Sequence, residues 1–155
     1  MGFMADYEKH VKEREALGVP PLPLTAEQTA QVIELLKEIP LVEEEKLLDL
    51  LQNRAPPGVD DAAYVKAAFL NDIVQGKAKT AAISPVHAVK MLGMMLGGFN
   101  VKPLVDALAH DDAEVAQEAV NQLKHTMLVY DAFNDVKELA DNGNAYAKEV
   151  LESWA

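Results

Sequence analysis

PLVDALAHDDAEVAQEAVNQL, the stretch from Pro103 to Leu123, decides the fold of this chain. Its apolar residues recur every three or four positions on each side of a short acidic turn, a spacing that predicts amphipathic helices. Asp111 and Asp112 form the turn, where an aspartate side chain can cap the second helix. The stretch therefore predicts two short helices that lie antiparallel to each other.

This helix pair resembles the HEAT repeat, in which pairs of antiparallel helices stack on one another. In that pattern Pro103 would bend the first helix, and the small residues of the second would let a neighbouring helix approach closely. One position departs from the repeat, because Ala116 stands where an arginine usually follows the valine. The resemblance implies a short, irregular α-solenoid whose ends need capping.

The rest of the sequence shows the same helical spacing and no period-two alternation, so we expect an all-α fold of about eight or nine helices. Residues 1–5 are expected to be a disordered N-terminal extension, followed by a helix that Gly18 ends. Residues 19–24, VPPLPL, should form a rigid proline-rich linker between the first two helices. Further helix starts are predicted at cap residues: Thr25 with Gln28, Asp60 or Asp61, Ser84 and Asn144.

The composition limits what the chain can be. Its 155 residues fit one domain, 1–155, and the absence of cysteine excludes disulfides, a thiol nucleophile and thiolate-held zinc or iron–sulfur clusters within it. A formal net charge of −11 opposes binding to nucleic acid. No apolar run reaches the ~20 residues that span a bilayer. We therefore expect a cytoplasmic protein without membrane contact.

The helix predicted from Pro85 to Leu96 is apolar almost all round, so we expect it to be central. Methionine adapts to irregular shapes, and the end of this helix could offer such a surface to a partner. Our candidate interaction residues are Met94, Met95 and Phe99, although Phe99 could instead fill the core after the Gly97–Gly98 turn. Asn100 is predicted to cap the following helix.

Two other functions remain open at this point. A small enzyme or metal site would use His, Asp and paired carboxylate side chains, although a turn with a helix cap, or a solvated helix face, explains the same residues. The candidates are His87, His110, Asp111, Asp112, His125, Asp131 and Asp135. An RNA-binding module would instead need a local basic strip, for which the candidates are Lys77, Lys79 and Lys90.

Three longer stretches point to one family: LLDLLQNRAPPGVDDAAYVKAAFL at 47–70, MLGMMLGGFNVKPLVDAL at 91–108 and DVKELADNGNAYAKEVLESWA at 135–155. They resemble the N-terminal HEAT-like domain of bacterial aconitase B, from about Tyr7 to the last residue. The resemblance implies a domain of a lyase of the tricarboxylic acid cycle, which interconverts citrate and isocitrate through cis-aconitate on a [4Fe–4S] cluster.

In that family the cluster and the catalytic residues belong to other domains, so we assign no catalytic, cofactor-binding or metal-binding residue to this chain. The resemblance implies a non-catalytic domain for protein interaction and dimerisation. Its expected partners are the remaining aconitase domains, a second subunit or other metabolic enzymes. Messenger RNA is bound in the family, but the charge of this chain disfavours it. The alternatives are a free-standing adaptor or RNA-regulatory module and a small metal-binding enzyme.

Overall fold

A computed structural model of the chain describes residues 2–37, 44–56, 58, 60–125 and 132–155. Within these ranges the structure is all-α, with nine α-helices, no strand and one isolated bridge between Thr80 and Ile83. Helix α3 continues into a π-helical turn at Leu50–Arg54. The helices are α1 Phe3–Ala16, α2 Ala26–Lys37, α3 Glu44–Asp49, α4 Asp61–Val74, α5 Pro85–Gly93, α6 Val101–Ala107, α7 Ala113–Leu123, α8 Phe133–Asp141 and α9 Ala145–Trp154.

The predicted helix starts are confirmed by their caps. Thr25 and Gln28 form a reciprocal capping box, with N–H donors 3.0 and 3.1 Å from the side-chain oxygens. Four further helices begin at a side chain that accepts a hydrogen bond from a first-turn N–H group, which would otherwise have no partner. These cap residues are Asp60 for α4, Ser84 for α5, Asp112 for α7 and Asn144 for α9.

Helix α1 starts earlier than the sequence pattern predicts. Residues 3–5 belong to the helix and not to a disordered extension, because Phe3 and Met4 pack against the core and the Phe3 ring stacks on Tyr7 at 5.9 Å. The predicted end at Gly18 is confirmed. Gly18 has a φ of +70°, a conformation that only glycine adopts without strain.

The proline-rich segment 19–24 lies between α1 and α2 without secondary structure and is tied to the body of the protein. Its anchor is Arg54 at the end of the π-helical turn. The Arg54 guanidinium donates from Nη2 to the carbonyl of Pro21, and the Arg54 carbonyl accepts the N–H of Leu24 at 3.0 Å. The linker therefore has a fixed path over the surface.

Helices α2, α4, α5, α7 and α9 are neighbours in that order. The last three run in the same direction, since their first turns, at Val86, Ala113 and Tyr146, line one open pocket. At the opposite end the indole Nε1 of Trp154 donates to the carbonyl of Leu123 at 3.1 Å. Four helices of this row carry fully buried leucines, Leu36 in α2, Leu70 in α4, Leu92 in α5 and Leu123 in α7. Leu51 of the π-helical turn and Leu104 of α6 are also fully buried.

Two details of the Pro103–Leu123 stretch differ from the sequence-based interpretation. Pro103 is the third residue of α6, where a missing N–H leaves no helical hydrogen bond unmade, so it opens the helix instead of bending it. Ala116, at the place of the usual arginine, is completely buried. A small side chain therefore fills this position in the core.

Candidate interaction surface

Large apolar side chains are exposed in two main groups among the described residues. The first, which we call the α4–α5 patch, consists of Tyr64 and Phe99, whose rings contact each other, together with Met94 and Leu96 from the same segment as Phe99. The exposed fractions of Tyr64, Met94, Leu96 and Phe99 are 61, 54, 68 and 36 %. The second, the hinge patch, consists of Leu17, Val19 and Leu22, which flank or belong to the proline-rich linker. Exposed apolar groups of this kind mark contact sites more often than isolated apolar residues do.

The segment 94–100 owes its shape to one buried amide. Asn100 is 1 % exposed, and its Nδ2 donates to the carbonyls of Leu92 and Met95 at 2.7 and 3.1 Å. These carbonyls lie at the end of α5, and the Leu92 carbonyl also accepts the N–H of Met95 at 3.1 Å. Asn100 therefore caps the end of the preceding helix, whereas the sequence pattern predicts a cap for the following one.

This cap decides which side chains of the segment face outward. Met95 is held in the core at 4 % exposure, so its side chain is not available to a partner, in contrast to its place among the predicted interaction residues. Met94 and Phe99 remain on the surface. The prediction that Phe99 fills the core is wrong, because its ring lies outside, against Tyr64.

Tyr64 joins this surface from the first turn of α4, next to the Asp60 cap. Its ring meets Phe99 edge-on, with centroids 5.5 Å apart and an interplanar angle of 80°. Such a pair gains about 0.5–1.5 kcal/mol beyond the area it buries. Tyr64 is not among the interaction residues predicted from the sequence, although the sequence holds a signal for it. It is an aromatic residue off the stripe of Phe69 and Ile73 that α4 buries.

The His110–Asp112 group is architectural in this structure. The Nδ1 atom of His110 accepts the N–H of Asp112 at 3.0 Å, so Nε2 carries the hydrogen and donates to the carbonyl of Val74 at 2.9 Å. The carboxylate of Asp112 accepts the N–H of Glu114 at 2.9 Å. Both ring nitrogens of His110 and the carboxylate of Asp112 therefore form hydrogen bonds that stabilise the turn.

The remaining candidate ligands are not brought together with this turn. Asp131 lies outside the described residues, and Asp135 and His125 are exposed. Within the described part of the chain, no three His, Asp or Glu side chains are placed to hold a metal ion. The donor set does not fit a [4Fe–4S] cluster either, because the chain has no thiolate to offer.

The candidate RNA-contacting lysines are exposed but lie on different elements. Lys77 and Lys79 belong to the connection between α4 and α5, whereas Lys90 is in the last turn of α5. None of the nine helices in the described ranges has the length and apolar character that crossing a bilayer requires.

Lys66 is a buried amine that the sequence did not single out. Its side chain is 3 % exposed, and Nζ donates to the carbonyl of Gln52 at 3.1 Å, which ties α4 to the π-helical turn. Burial lowers the pKa of Lys66 to about 8, since the charged amine loses its hydration. The burial of Lys66 is evident only from the tertiary structure, because lysine side chains are rarely buried and the sequence gives no sign of it.

Comparison with known proteins gives a consistent result over nearly the whole chain. A family model described as the aconitate B N-terminal domain matches residues 6–155. The chain is 59 % identical over 149 residues to the aconitate hydratase B of Pseudomonas aeruginosa and 55 % identical over 153 residues to that of Escherichia coli. These matches cover 96 and 99 % of the chain but only 17 and 18 % of the relatives. The Helicobacter pylori relative is 45 % identical over 153 residues.

Proposed function

This chain belongs to the aconitate B N-terminal domain family, and on that premise we propose that it is a non-catalytic domain for protein interaction and subunit contact. It spans 17–18 % of the length of the aconitate hydratases B that it matches, so most of the sequence of such an enzyme lies outside the region that this chain matches. In the proposal this chemistry is the interconversion of citrate and isocitrate, and it belongs to other domains with their iron–sulfur cluster.

The side chains that could bind a metal or cluster, or act in catalysis, support a non-catalytic role for the chain. It has no cysteine for a cluster, and the histidine and carboxylates of its most ligand-like turn are committed to hydrogen bonds and a helix cap. Lys66 is the one described group with a clearly shifted pKa, and its Nζ is directed at a backbone carbonyl in the interior. These observations favour a scaffold over an active site.

We interpret the helix arrangement as HEAT-like. The row of neighbours α2, α4, α5, α7 and α9 supports this, because in a stacked repeat each helix contacts chiefly the next one in the series. The common direction of α5, α7 and α9 supports it further. A row of this kind leaves a broad surface for contacts with other proteins.

The observation that carries the proposal is the α4–α5 patch. Aromatic and methionine side chains are enriched in protein interfaces, and a rigid aromatic pair loses little conformational entropy when it is covered. We propose the remaining domains of an aconitate hydratase B as the partner, with a second subunit or another metabolic enzyme as the alternatives. The net charge of −11 disfavours RNA, and the cytoplasm is the expected compartment.

The test is a calorimetric titration of this chain into an aconitate hydratase B from which the matching N-terminal residues have been removed. We expect saturable binding with one chain per enzyme. We also expect the chain alone not to convert citrate, isocitrate or cis-aconitate in a spectrophotometric assay. Turnover by the isolated chain, or the absence of any binding to a folded truncated enzyme, would refute the proposal.

A further inference from the structure

We propose that Asn142 is a site of spontaneous covalent modification, at which the side-chain amide is converted to an aspartyl or isoaspartyl residue through a cyclic succinimide. The turn that joins α8 to α9, residues 142–144, limits the rate of this conversion by holding the attacking nitrogen in a hydrogen bond. The proposal concerns the chemistry of this turn and does not depend on the proposed function.

The sequence provides the reacting groups. Asn142 is the one asparagine in the chain that precedes a glycine, and a residue without Cβ obstructs the approach of its own nitrogen least. In the reaction the Gly143 nitrogen loses its proton and bonds to Cγ of Asn142, the C–N bond of the carboxamide breaks, and ammonia leaves. Water then opens the ring at either carbonyl, so the conversion needs no oxidant or reductant.

The structure leaves the amide of Asn142 accessible. The side chain is exposed, and its carboxamide forms no hydrogen bond with another residue in the part of the chain that the structure describes. Other asparagines differ in this respect, since Asn100 and Asn144 each donate from Nδ2 to a backbone carbonyl. Asn134 is exposed, but it lies within the first turn of α8 and precedes Asp135, whose Cβ hinders the attack.

The folded turn restrains the reaction. The N–H groups of Asn142, Gly143 and Asn144 donate to carbonyls in the last turn of α8 at 3.0, 3.0 and 2.9 Å. Gly143 has a φ of +98°, the left-handed conformation in which glycine commonly ends a helix. Because its N–H is bonded to the carbonyl of Ala140, the Gly143 nitrogen must give up a hydrogen bond before it can attack.

The main-chain angle at Asn142 opposes ring closure as well. Its ψ of 5° places the Gly143 nitrogen on the side of the Asn142 nitrogen, whereas the succinimide ring needs it on the side of Cβ. Rotation about this bond moves Gly143 away from its acceptor, the carbonyl of Ala140. The turn must therefore open before the ring closes, so the rate depends on how often the end of α8 unfolds locally.

The modification would change how α9 is held. Asn144 follows the site directly, accepting the N–H of Ala147 at 2.9 Å as the cap of α9 and donating to the carbonyl of Leu108 at 3.0 Å. An isoaspartyl residue adds a methylene group to the main chain, so the hydrogen bonds of the turn cannot keep their spacing. An aspartyl residue adds a carboxylate beside Asp141, at the negative end of the α8 dipole. Both products weaken the attachment of α9.

The experiment follows the folded chain in mildly alkaline buffer. Samples are digested at mildly acidic pH, and mass spectrometry locates each amide that has become an acid. Methyl transfer from labelled S-adenosylmethionine by an isoaspartyl carboxyl methyltransferase measures the isoaspartyl product. We expect Asn142 to convert at least roughly tenfold faster than Asn134, because glycine follows it. Equal conversion at the two positions, or the absence of isoaspartyl product, would overturn the proposal.

A variant of the neighbouring residue tests the restraint by the turn. Asn144→Ala removes the cap of α9 and the hydrogen bond to Leu108, so the turn opens more often and conversion at Asn142 should be roughly fivefold faster. Asn121→Ala, on the exposed face of α7, is the matched control and should leave the rate unchanged. The native chain unfolded in guanidinium chloride gives the rate without the turn. A folded rate as high as the unfolded rate would refute the restraint, whether or not Asn144→Ala folds.

The effect on α9 is measured by amide hydrogen exchange after ageing. Asn142→Gln keeps the amide but needs a larger ring that closes more slowly, so it serves as the control aged in parallel. We expect the amides of α9 to exchange faster in the aged native chain than in the aged variant. Equal exchange in the two samples would contradict the weakened attachment of α9.

Discussion

Two buried polar side chains, Lys66 and Asn100, each use hydrogen bonds to backbone carbonyls to join separate elements. Lys66 links α4 to the π-helical turn, and Asn100 links the start of α6 to the end of α5. The free energy of burying these two side chains differs, because the amide of Asn100 is neutral whereas the amine of Lys66 carries a charge at neutral pH. Their replacement should therefore have opposite effects on stability.

Replacing Lys66 with methionine should stabilise the protein at pH 7 by about 2 kcal/mol, since burying the charged amine costs about 3 kcal/mol and the lost hydrogen bond contributes about 1. The pKa of Lys66 is lowered from 10.5 to about 8. Below pH 8 the amine is charged in both states, and its full cost is present. Between pH 8 and 10.5 the unfolded chain binds more protons, so the stability of the native chain rises with pH.

The gain from Lys66→Met should therefore be constant below pH 8 and disappear as the pH rises to 10.5. Urea unfolding at a series of pH values measures it. The matched control is Lys90→Met, which changes an exposed lysine of α5 and should give no such pH dependence. A gain for Lys66→Met that does not fall above pH 8 would contradict the assignment of a buried charged amine.

Replacing Asn100 with alanine should lower the free energy of unfolding by about 2 kcal/mol, because two buried hydrogen bonds are lost, those from Asn100 Nδ2 to the carbonyls of Leu92 and Met95. The Leu92 carbonyl keeps its hydrogen bond from the N–H of Met95. Denaturant unfolding followed by circular dichroism gives the value. The same change at Asn121, on the exposed face of α7, should have an effect within about 0.5 kcal/mol. Equal effects at the two positions would show that Asn100 does not hold the segment 94–100.

At the scale of the helices, the sequence predicts the features that depend on residues close together in the chain. The caps at Thr25, Asp60, Ser84 and Asn144 are local, since donor and acceptor lie three residues apart. The outward position of the Phe99 side chain does not follow from the neighbouring residues alone. It depends on the hydrogen bonds that Asn100 donates to the carbonyls of Leu92 and Met95. Likewise the start of α1 depends on the core that Phe3 and Met4 meet.

The contact between α5 and α7 gives a test at this scale. A Cβ atom on Gly93 would lie 1.9 Å from Oε1 and 2.6 Å from Cγ of Gln122, so a side chain there must displace the glutamine. We expect Gly93→Ala to destabilise the protein by about 1 kcal/mol in the native background. With Gln122→Ala the same change should become stabilising, because the space is free and alanine favours the helix.

A double-mutant cycle by urea unfolding measures this coupling, for which we expect about 1 kcal/mol or more. The cycle reports directly on the packing of the two helices, since it compares Gly93→Ala with and without its neighbour. An effect of Gly93→Ala that is the same in both backgrounds would mean that the two helix ends do not approach as closely as the structure places them.

At the scale of the whole molecule, the resemblance read from three sequence stretches is confirmed by the family match over residues 6–155. The all-α class follows from periodicity alone. The exposed α4–α5 patch could be found only in part, because Met94 and Phe99 are near each other in the sequence but Tyr64 comes from a helix about 30 residues earlier in the chain. Periodicity shows which residues share a helix face, but not which faces of separate helices adjoin.

The α4–α5 patch makes the contact of this domain with its partner in the proposed function. The most direct test repeats the titration into the truncated aconitate hydratase B with a Tyr64→Ser and Phe99→Ser double variant. The control is Phe133→Ser on α8, an aromatic side chain that is 47 % exposed outside the patch. We expect the double variant to bind at least roughly tenfold more weakly and the control to bind as the native chain does. Unchanged affinity of the double variant would contradict the proposed contact.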